Sequence, residues 1–389
     1  MRPILIIRSA IRVAIIATPL LLALHYFITH LLAFIHIFYQ HPGIAITQRQ
    51  VANAYLNGTT LLREHEATGL RKKEYMPRII HQIFHNWKDA ANETLPSDWA
   101  AQRRTCVDSN PHWEYRLWTP TTSLSFLTSH YPTFLPSYLS YPHPVQRVDA
   151  LRYFLLYHYG GIYLDLDNGC LPSVLSPTVS DSLDPLIGYP LWIADGGRGA
   201  LSNNILGARA RHPFWGRVVA ELIAGRGAVP TAHGAWWIEK VTTGFWKRWW
   251  CAWGVLRYVE VSWGVGQWFL GGVWDEYHWL LERGRDHQVS VMEGVVDDEE
   301  ESGRLYRLMM DDRPGMDEWV FFTQGRGGTW NGWDNRLFLE IGDHLGVFLL
   351  VLGGLLAGIL GWLAKRYRAV QRGKGYRRVK SEDMEDRSE

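Results

Sequence analysis

The chain of 389 residues has only three cysteines, Cys106, Cys170 and Cys251, and they lie far apart. They match no zinc spacing, and at most one disulfide can join them, with its partners left open. A formal net charge of +1 gives no basic footprint and excludes a nucleic-acid partner. The sequence has no serine nucleophile elbow, no Walker loop and no internal repeat. Charge is missing altogether from two long stretches. Residues 13–39 (VAIIATPLLLALHYFITHLLAFIHIFY) hold no Lys, Arg, Asp or Glu, and residues 345–364 (LGVFLLVLGGLLAGILGWLA) are uncharged and almost wholly apolar. About 20 such residues span a hydrocarbon core. The first run is too long for a signal peptide and lacks a small-residue cleavage site, so both read as transmembrane helices.

The flanks of those runs set a topology. Arg2, Arg8 and Arg12 precede the first, and a basic cluster from Lys365 to Lys380 follows the second. Positive charge stays cytosolic. The expected order is a cytosolic N-terminus (1–12), an anchor (13–39), a stalk (40–75), a lumenal domain (76–344), a second span (345–364) and a cytosolic tail (365–389). The tail ends in the acidic SEDMEDRSE, which reads as disordered. The triplets at Asn57 and Asn92 are glycosylation acceptors on the lumenal side.

Within 76–344 the pattern is α/β. RIIHQIF (78–84) and WEYRLWT (113–119) read as strands, with a helix between them capped by Ser97 and ended by Asn110-Pro111. Residues 144–159 read as a helix, with Pro144 in its first turn and a core-facing stripe at Val145, Val148, Leu151, Leu155, Leu156 and Tyr159. Gly160-Gly161 stops it, and IYLDL (162–166) is the next strand. Asp149 and Arg152 share one helix face at i,i+3, which by itself is an ordinary surface ion pair.

GGIYLDLDNGC (160–170) carries the chemistry. Asp and Asn after a strand are common turn residues. On an extended strand, however, Asp165 and Asp167 point the same way and repel unless a cation lies between them. A hard divalent ion with a diphosphate in its shell supplies that cation. The spacing does not fit an EF-hand loop. A phosphatase of haloacid dehalogenase type, with Asp165 as nucleophile, is the second enzymatic reading, and an inactive membrane scaffold is the third.

Taken together, RIIHQIF, Asp149-x-x-Arg152-Tyr153, Gly160-Gly161-x-Tyr163-x-Asp165-x-Asp167, LSNNILGARARHPFW (201–215) and GGTWNGWD (327–334) resemble the fungal members of glycosyltransferase family 32, the mannosyl-inositol-phosphorylceramide synthase catalytic subunits among them. The resemblance implies a GT-A fold, a Rossmann-like nucleotide-sugar-binding sheet flanked by helices. It implies retaining transfer of mannose from GDP-mannose to inositol phosphorylceramide, in sphingolipid synthesis in the Golgi or endomembranes. It also implies a membrane regulatory subunit as a partner. Asp165 and Asp167 would hold Mn²⁺, or Mg²⁺ in its place, with the donor diphosphate. Asp149 and Arg152 would complete the catalytic set, and Tyr163, Asn204, Thr329 and Trp330 would bind the donor. Many relatives have Ser-Ser-Trp-His where this chain has Gly328-Thr329-Trp330-Asn331, and residues 231–255 match nothing in the family. In that unmatched piece Trp246, Trp249, Trp250 and Trp253 fall on one helix face, which suits either a core helix or one lying on a membrane.

Overall fold

The computed structural model describes residues 41–57, 75–86, 91–175, 181–197, 201–225, 257–282, 304–311, 315–324 and 344–385, with a few single positions besides. The tryptophan stripe at 246–253 and the donor residues expected at Thr329 and Trp330 lie outside the described residues, as does Asn331.

A mixed sheet of seven strands organises the first unit, residues 1–334. Its strands are β1 (Ile44–Thr47), β2 (Ile79–Ile83), β3 (Glu114–Trp118), β4 (Gly161–Leu164), β6 (Leu191–Asp195), β7 (Leu201–Ala208) and β8 (Tyr306–Met309), in the order β1-β8-β6-β7-β4-β2-β3. Only β7 runs against its neighbours, β4 and β6; the other pairings are parallel. A separate pair, β5 (Asn168–Cys170) with β9 (Phe322–Gln324), lies just beyond β4 in the chain. The α/β class expected from sequence holds, with a mostly parallel sheet.

The chain steps from β2 to β3 through α2 (Ser97–Ser109), then crosses back to place β4 on the other side of β2. Such a reversal opens a crevice at the C-terminal ends of the two strands, where α/β sheets bind ligands. The returning crossover ends in α5 (Pro144–Tyr159), after the short helices α3 (Pro120–His130) and α4 (Leu135–Ser140).

Three local expectations need correction. Residues Ile44–Thr47, inside the segment read as a stalk, form the edge strand β1 beside β8. The following helix α1 (Gln48–Leu56) buries Val51 and Ala52, and the Gln48 side chain accepts the Val320 and Phe321 N–H groups. A four-residue strand whose partner lies at 306–309 carries no local sign of that pairing. Ser97 opens α2 but does not cap it; the cap position is Pro96, which makes no side-chain bond. Helix α5 is buried on every face from Val145 to Tyr157, not along one stripe. Asp149 and Arg152 are therefore interior groups, which rules out the surface ion pair.

Gly160 ends α5 at φ 68°, and its N–H bonds the Leu156 carbonyl. Its own carbonyl faces His81 of β2. The Trp118 indole can only donate, so His81 Nδ1 accepts from it at 3.1 Å and Nε2–H must donate to the Gly160 carbonyl at 2.9 Å. Burial holds His81 neutral and lowers its pKa to about 4, with the Arg116 charge acting the same way. The unfolded chain binds this proton near pH 6.5 and the folded chain does not. Stability from this group is therefore complete above pH 6.5 and is lost as pH falls towards 4. Folding should be about 2 kcal/mol weaker at pH 5 than at pH 8 through His81 alone. Thermal melts across that range test it, and His81→Asn should flatten the pH slope. An unchanged slope would put the acid sensitivity elsewhere.

The second unit, residues 335–389, is dominated by one helix, α6 (Leu345–Glu385). Its first part, Leu345–Arg366, is the one segment among the described residues long and apolar enough to cross a membrane. The helix runs through the basic cluster as far as Glu385, so the acidic end read as disordered is helical at 381–385. Of the first apolar stretch only Thr18, Leu22, His25, Ile28 and Leu32 are described, all helical and exposed.

Candidate active site

Asp165 follows the last residue of β4, and Asp167 lies in the turn that leads into β5. The Asn168 N–H closes this turn on the Asp165 carbonyl at 3.0 Å. The strand alternation expected for 165 and 167 is absent, because the chain leaves the strand between them. The repulsion is also met differently from the sequence expectation. Arg152 sends Nη2 to Asp149 Oδ1 at 2.6 Å and to Asp165 Oδ1 at 3.3 Å, so a guanidinium is already part of the compensating charge.

Four elements hold this cluster. Helix α5 presents Asp149 and Arg152 one turn apart, both almost fully buried. Strand β4 presents Tyr163, whose hydroxyl donates to Asp165 Oδ1 at 2.5 Å and whose ring lies 4.7 Å from the Arg152 guanidinium carbon. From β2, Gln82 Nε2 donates to the Asp165 carbonyl at 3.3 Å, while Gln82 Oε1 accepts from the Tyr115 hydroxyl. Strand β7 closes the far side: the Asn204 carbonyl accepts the Asp165 N–H at 2.8 Å.

Sequence reasoning chose Asn204 and missed its neighbour. The Asn204 side chain takes a hydrogen bond from Ser202, whereas Asn203 Nδ2 donates to Asp149 Oδ1 and to the Tyr153 hydroxyl, each at 3.3 Å. The Asn203 carbonyl also accepts from Arg152 Nη1. Alternation along β7 puts the two asparagine side chains on opposite faces, and only the β7–β4 register tells which face meets α5. Gln82 was missed as well, although it stood within the quoted strand RIIHQIF.

Three carboxylates share one guanidinium. Burial pushes the Asp149 carboxyl up to about 7 despite Arg152. Burial, followed by the charge of Asp165, pushes Asp167 up to about 7. Asp165 is raised too, chiefly by burial, with Arg152 and the Tyr163 hydroxyl opposing. Burial alone would lower the Arg152 pKa, but Asp165, Tyr163 and Asp149 together hold it above its ordinary value. The cluster is short of positive charge.

Its donor set suits a divalent cation carrying an anionic ligand. Asp165 and Asp167 offer hard oxygens. Arg152 Nε is a buried donor with no partner among the described residues, as an anion-binding arginine would have. Among the described residues no group of three or more His, Cys, Asp and Glu side chains is arranged to hold a metal by itself. A cation held by Asp165 and Asp167 would need ligand oxygens to complete its shell. Tyr163 and Arg152 both hold Asp165 Oδ1, which fixes this carboxylate in place.

Residues 96–187 match the family described as "Glycosyltransferase sugar-binding region containing DXD motif". That span includes Asp149, Arg152, Tyr163, Asp165 and Asp167, so the site lies in a region similar to the DXD-containing class of glycosyltransferases. Within that class it is similar to inositol phosphoceramide mannosyltransferase 2 of Schizosaccharomyces pombe, at 29% identity over 74% of this chain and 67% of the relative. Inositol phosphoceramide mannosyltransferase 3 of the same organism is 43% identical over 38% of this chain and 37% of its own length. Mannosyl phosphorylinositol ceramide synthase SUR1 of Saccharomyces cerevisiae is 26% identical over 70% of this chain and 56% of its own. The chain thus spans from about a third to two thirds of these relatives, and the resemblance read from the motifs holds. A solved structure, PaToxG Glycosyltransferase, aligns over 66% of this chain and 92% of its own, at 14% identity and a TM-score of 0.34.

Proposed function

We propose that the chain is a membrane-anchored, metal-dependent, retaining glycosyltransferase of GT-A type that moves mannose from GDP-mannose to inositol phosphorylceramide. The observation that carries this reading is the Arg152-centred carboxylate cluster at the β2–β4 switch point, inside the matched sugar-binding region. The names of the relatives supply the donor sugar and lipid class. Bound with the donor, Mn²⁺ would neutralise charge growing on the departing diphosphate. Asp165 and Asp167 are the residues that would hold it. Arg152, with its spare Nε, binds a phosphate oxygen and stabilises the same charge from the protein side. Asp149, held by Asn203, orients sugar hydroxyls, and Tyr163 keeps Asp165 and Arg152 in register.

The site is tested with detergent-purified full chain, Mn²⁺, a panel of nucleotide sugars and an inositol phosphorylceramide acceptor. GDP-mannose should be the donor consumed. Asp167→Asn, which keeps shape and removes charge, should lower transfer by at least about 10²–10³-fold. Its melting without metal should be unchanged or higher, because a half-buried repulsive charge is gone. Wild-type transfer by Asp167→Asn would end the metal-site reading.

The membrane placement belongs to the same proposal. Every side of the Leu345–Arg366 segment is apolar and none of it is buried, as expected of a helix that needs lipid around it. Asn57 and Asn92, the two glycosylation acceptors, are exposed. We place both termini in the cytosol and the domain in a Golgi or endomembrane lumen. The Cys106–Cys170 disulfide suits that oxidising side. Protease added to sealed microsomes should then trim only the tails; digestion of the domain in intact vesicles would reverse the topology.

A further inference from the structure

Asp165 and Asp167 are held in different ways. Asp165 is fixed through its N–H by Asn204, through its carbonyl by Gln82 and Asn168, and through its carboxylate by Tyr163 and Arg152. Apart from its own backbone, the Asp167 carboxylate has one hydrogen-bond donor among the described residues, Asn168 Nδ2, at 3.1 Å. The amide meets Asp167 through its NH₂ end, which donates to Oδ1.

Asn168 is completely buried, and its Oδ1 has no partner among the described residues. A buried unpaired acceptor weakens a fold, so stability does not account for an asparagine here. The strand beneath it is held tightly. In β5, Asn168 pairs with Gln324 of β9, and the Leu171 N–H bonds the Phe321 carbonyl. A Cβ on Gly169 would come within 2.2 Å of Gln102 Oε1 and 2.7 Å of Thr105 Oγ1, both on α2. Next along, the Cys170 N–H bonds Thr105 Oγ1 at 2.9 Å, and Cys170 is joined by its disulfide to Cys106 of the same helix. The base is rigid, and one polar side chain on it reaches the otherwise loosely held acid.

We propose that Asn168 is a positioning residue: standing on β5, it fixes the Asp167 carboxylate in the orientation in which the turn takes up a divalent cation with a nucleoside diphosphate. The proposal rests on the glycosyltransferase reading above and adds a residue to it. Asn168 touches neither ligand; it acts through Asp167, as outer partners of metal-binding carboxylates do.

The test is a titration of the full chain with MnCl₂ at fixed GDP, read as thermal stabilisation, for wild type and Asn168→Leu. Leucine has nearly the same shape, removes the donor to Asp167 and removes the unpaired acceptor. The variant should melt, without ligand, no lower than wild type, and its half-saturating Mn²⁺ concentration should rise by about 10–100-fold, the usual cost of losing an outer partner. Asn168→Ala carries the same expectation for the Mn²⁺ midpoint should leucine not fit. A folded variant with a midpoint within about twofold of wild type, well short of that usual cost, would overturn the positioning role. So would failure of both variants to fold, which would make Asn168 a plain core residue. The wild-type titration separates the two levels. If wild type shows no Mn²⁺–GDP stabilisation, the metal–diphosphate reading fails; if wild type responds and the variants match it, only the role of Asn168 falls.

Discussion

Arg152→Met should cut sugar transfer by at least about 10²–10³-fold while leaving Mn²⁺–GDP-free folding largely intact. Among the described residues the guanidinium is the one cation paired to both Asp149 and Asp165, and its Nε, with no partner there, is a donor for a diphosphate oxygen. Removing one partner of a buried ion pair ordinarily costs about 3–5 kcal/mol, because the other charge is left uncompensated. Here Asp149 has a way out: burial already holds it near neutrality, at about 7, so it can take up a proton at little cost. The stability loss should therefore fall at or below the low end of that range, so the variant should still fold while it loses transfer. Metal affinity gives the sharper readout. Without the guanidinium, the turn carrying Asp165 and Asp167 is more negative, so Mn²⁺ should bind no more weakly than in wild type. A purely structural Arg152 would behave otherwise, with melting, metal binding and transfer failing together. Measuring all three on Arg152→Met decides between the roles.

Much of this site can be read from the chain because its parts are close in sequence. Pro144 and Gly160 bracket α5, and the helix between them has those ends. Asp149, Arg152, Tyr163, Asp165 and Asp167 fall within one helix, one strand and one turn, so a local pattern names them all. The remainder depends on pairings that no local pattern contains. Asn203 joins the site only because β7 runs antiparallel to β4 in one register, and a shift of one residue would have presented Asn204 instead. The contact between Arg152 and Asp165 needs α5 packed over the end of β4. Sequence alone therefore left the two acids looking uncompensated and assigned the whole deficit to a metal. Residues 44–47 read as stalk for the same kind of reason: a four-residue strand is recognisable as sheet only beside β8. The Cys106–Cys170 bond could not be chosen from three candidates until β5 was seen against α2.

The largest loss of stability should come from Gly160→Ala, and Gly225 provides its control. Both glycines have φ 68°, which costs an L-residue about 1–2 kcal/mol at left-handed helical values and about 1–3 kcal/mol at the ψ of −162° that Gly160 adopts. They differ in what surrounds them. An added Cβ at Gly225 would meet nothing within 4 Å, so Gly225→Ala should cost only that conformational term. At Gly160 the Cβ would come within 2.4 Å of the Ala210 nitrogen and 2.9 Å of the Ala208 carbonyl oxygen. Those are backbone atoms at the end of β7 and just past it, and they cannot rotate away. Relief requires β7 to move from β4, or the end of α5 to lift from the sheet. Either movement also breaks the bond from His81 to the Gly160 carbonyl. Overpacking of this kind adds about 1–3 kcal/mol or more to the conformational cost. Gly160→Ala should thus lose about 2–6 kcal/mol in all, a large share of the 5–15 kcal/mol that typically holds a domain folded. The damage would reach function through geometry, since Asn203, Asn204 and Asp165 all depend on the β7–β4 register. Thermal melting of the two variants side by side is the measurement. Equal destabilisation would mean that φ alone matters and that the close approach of β7 to the α5 stop has no energetic weight.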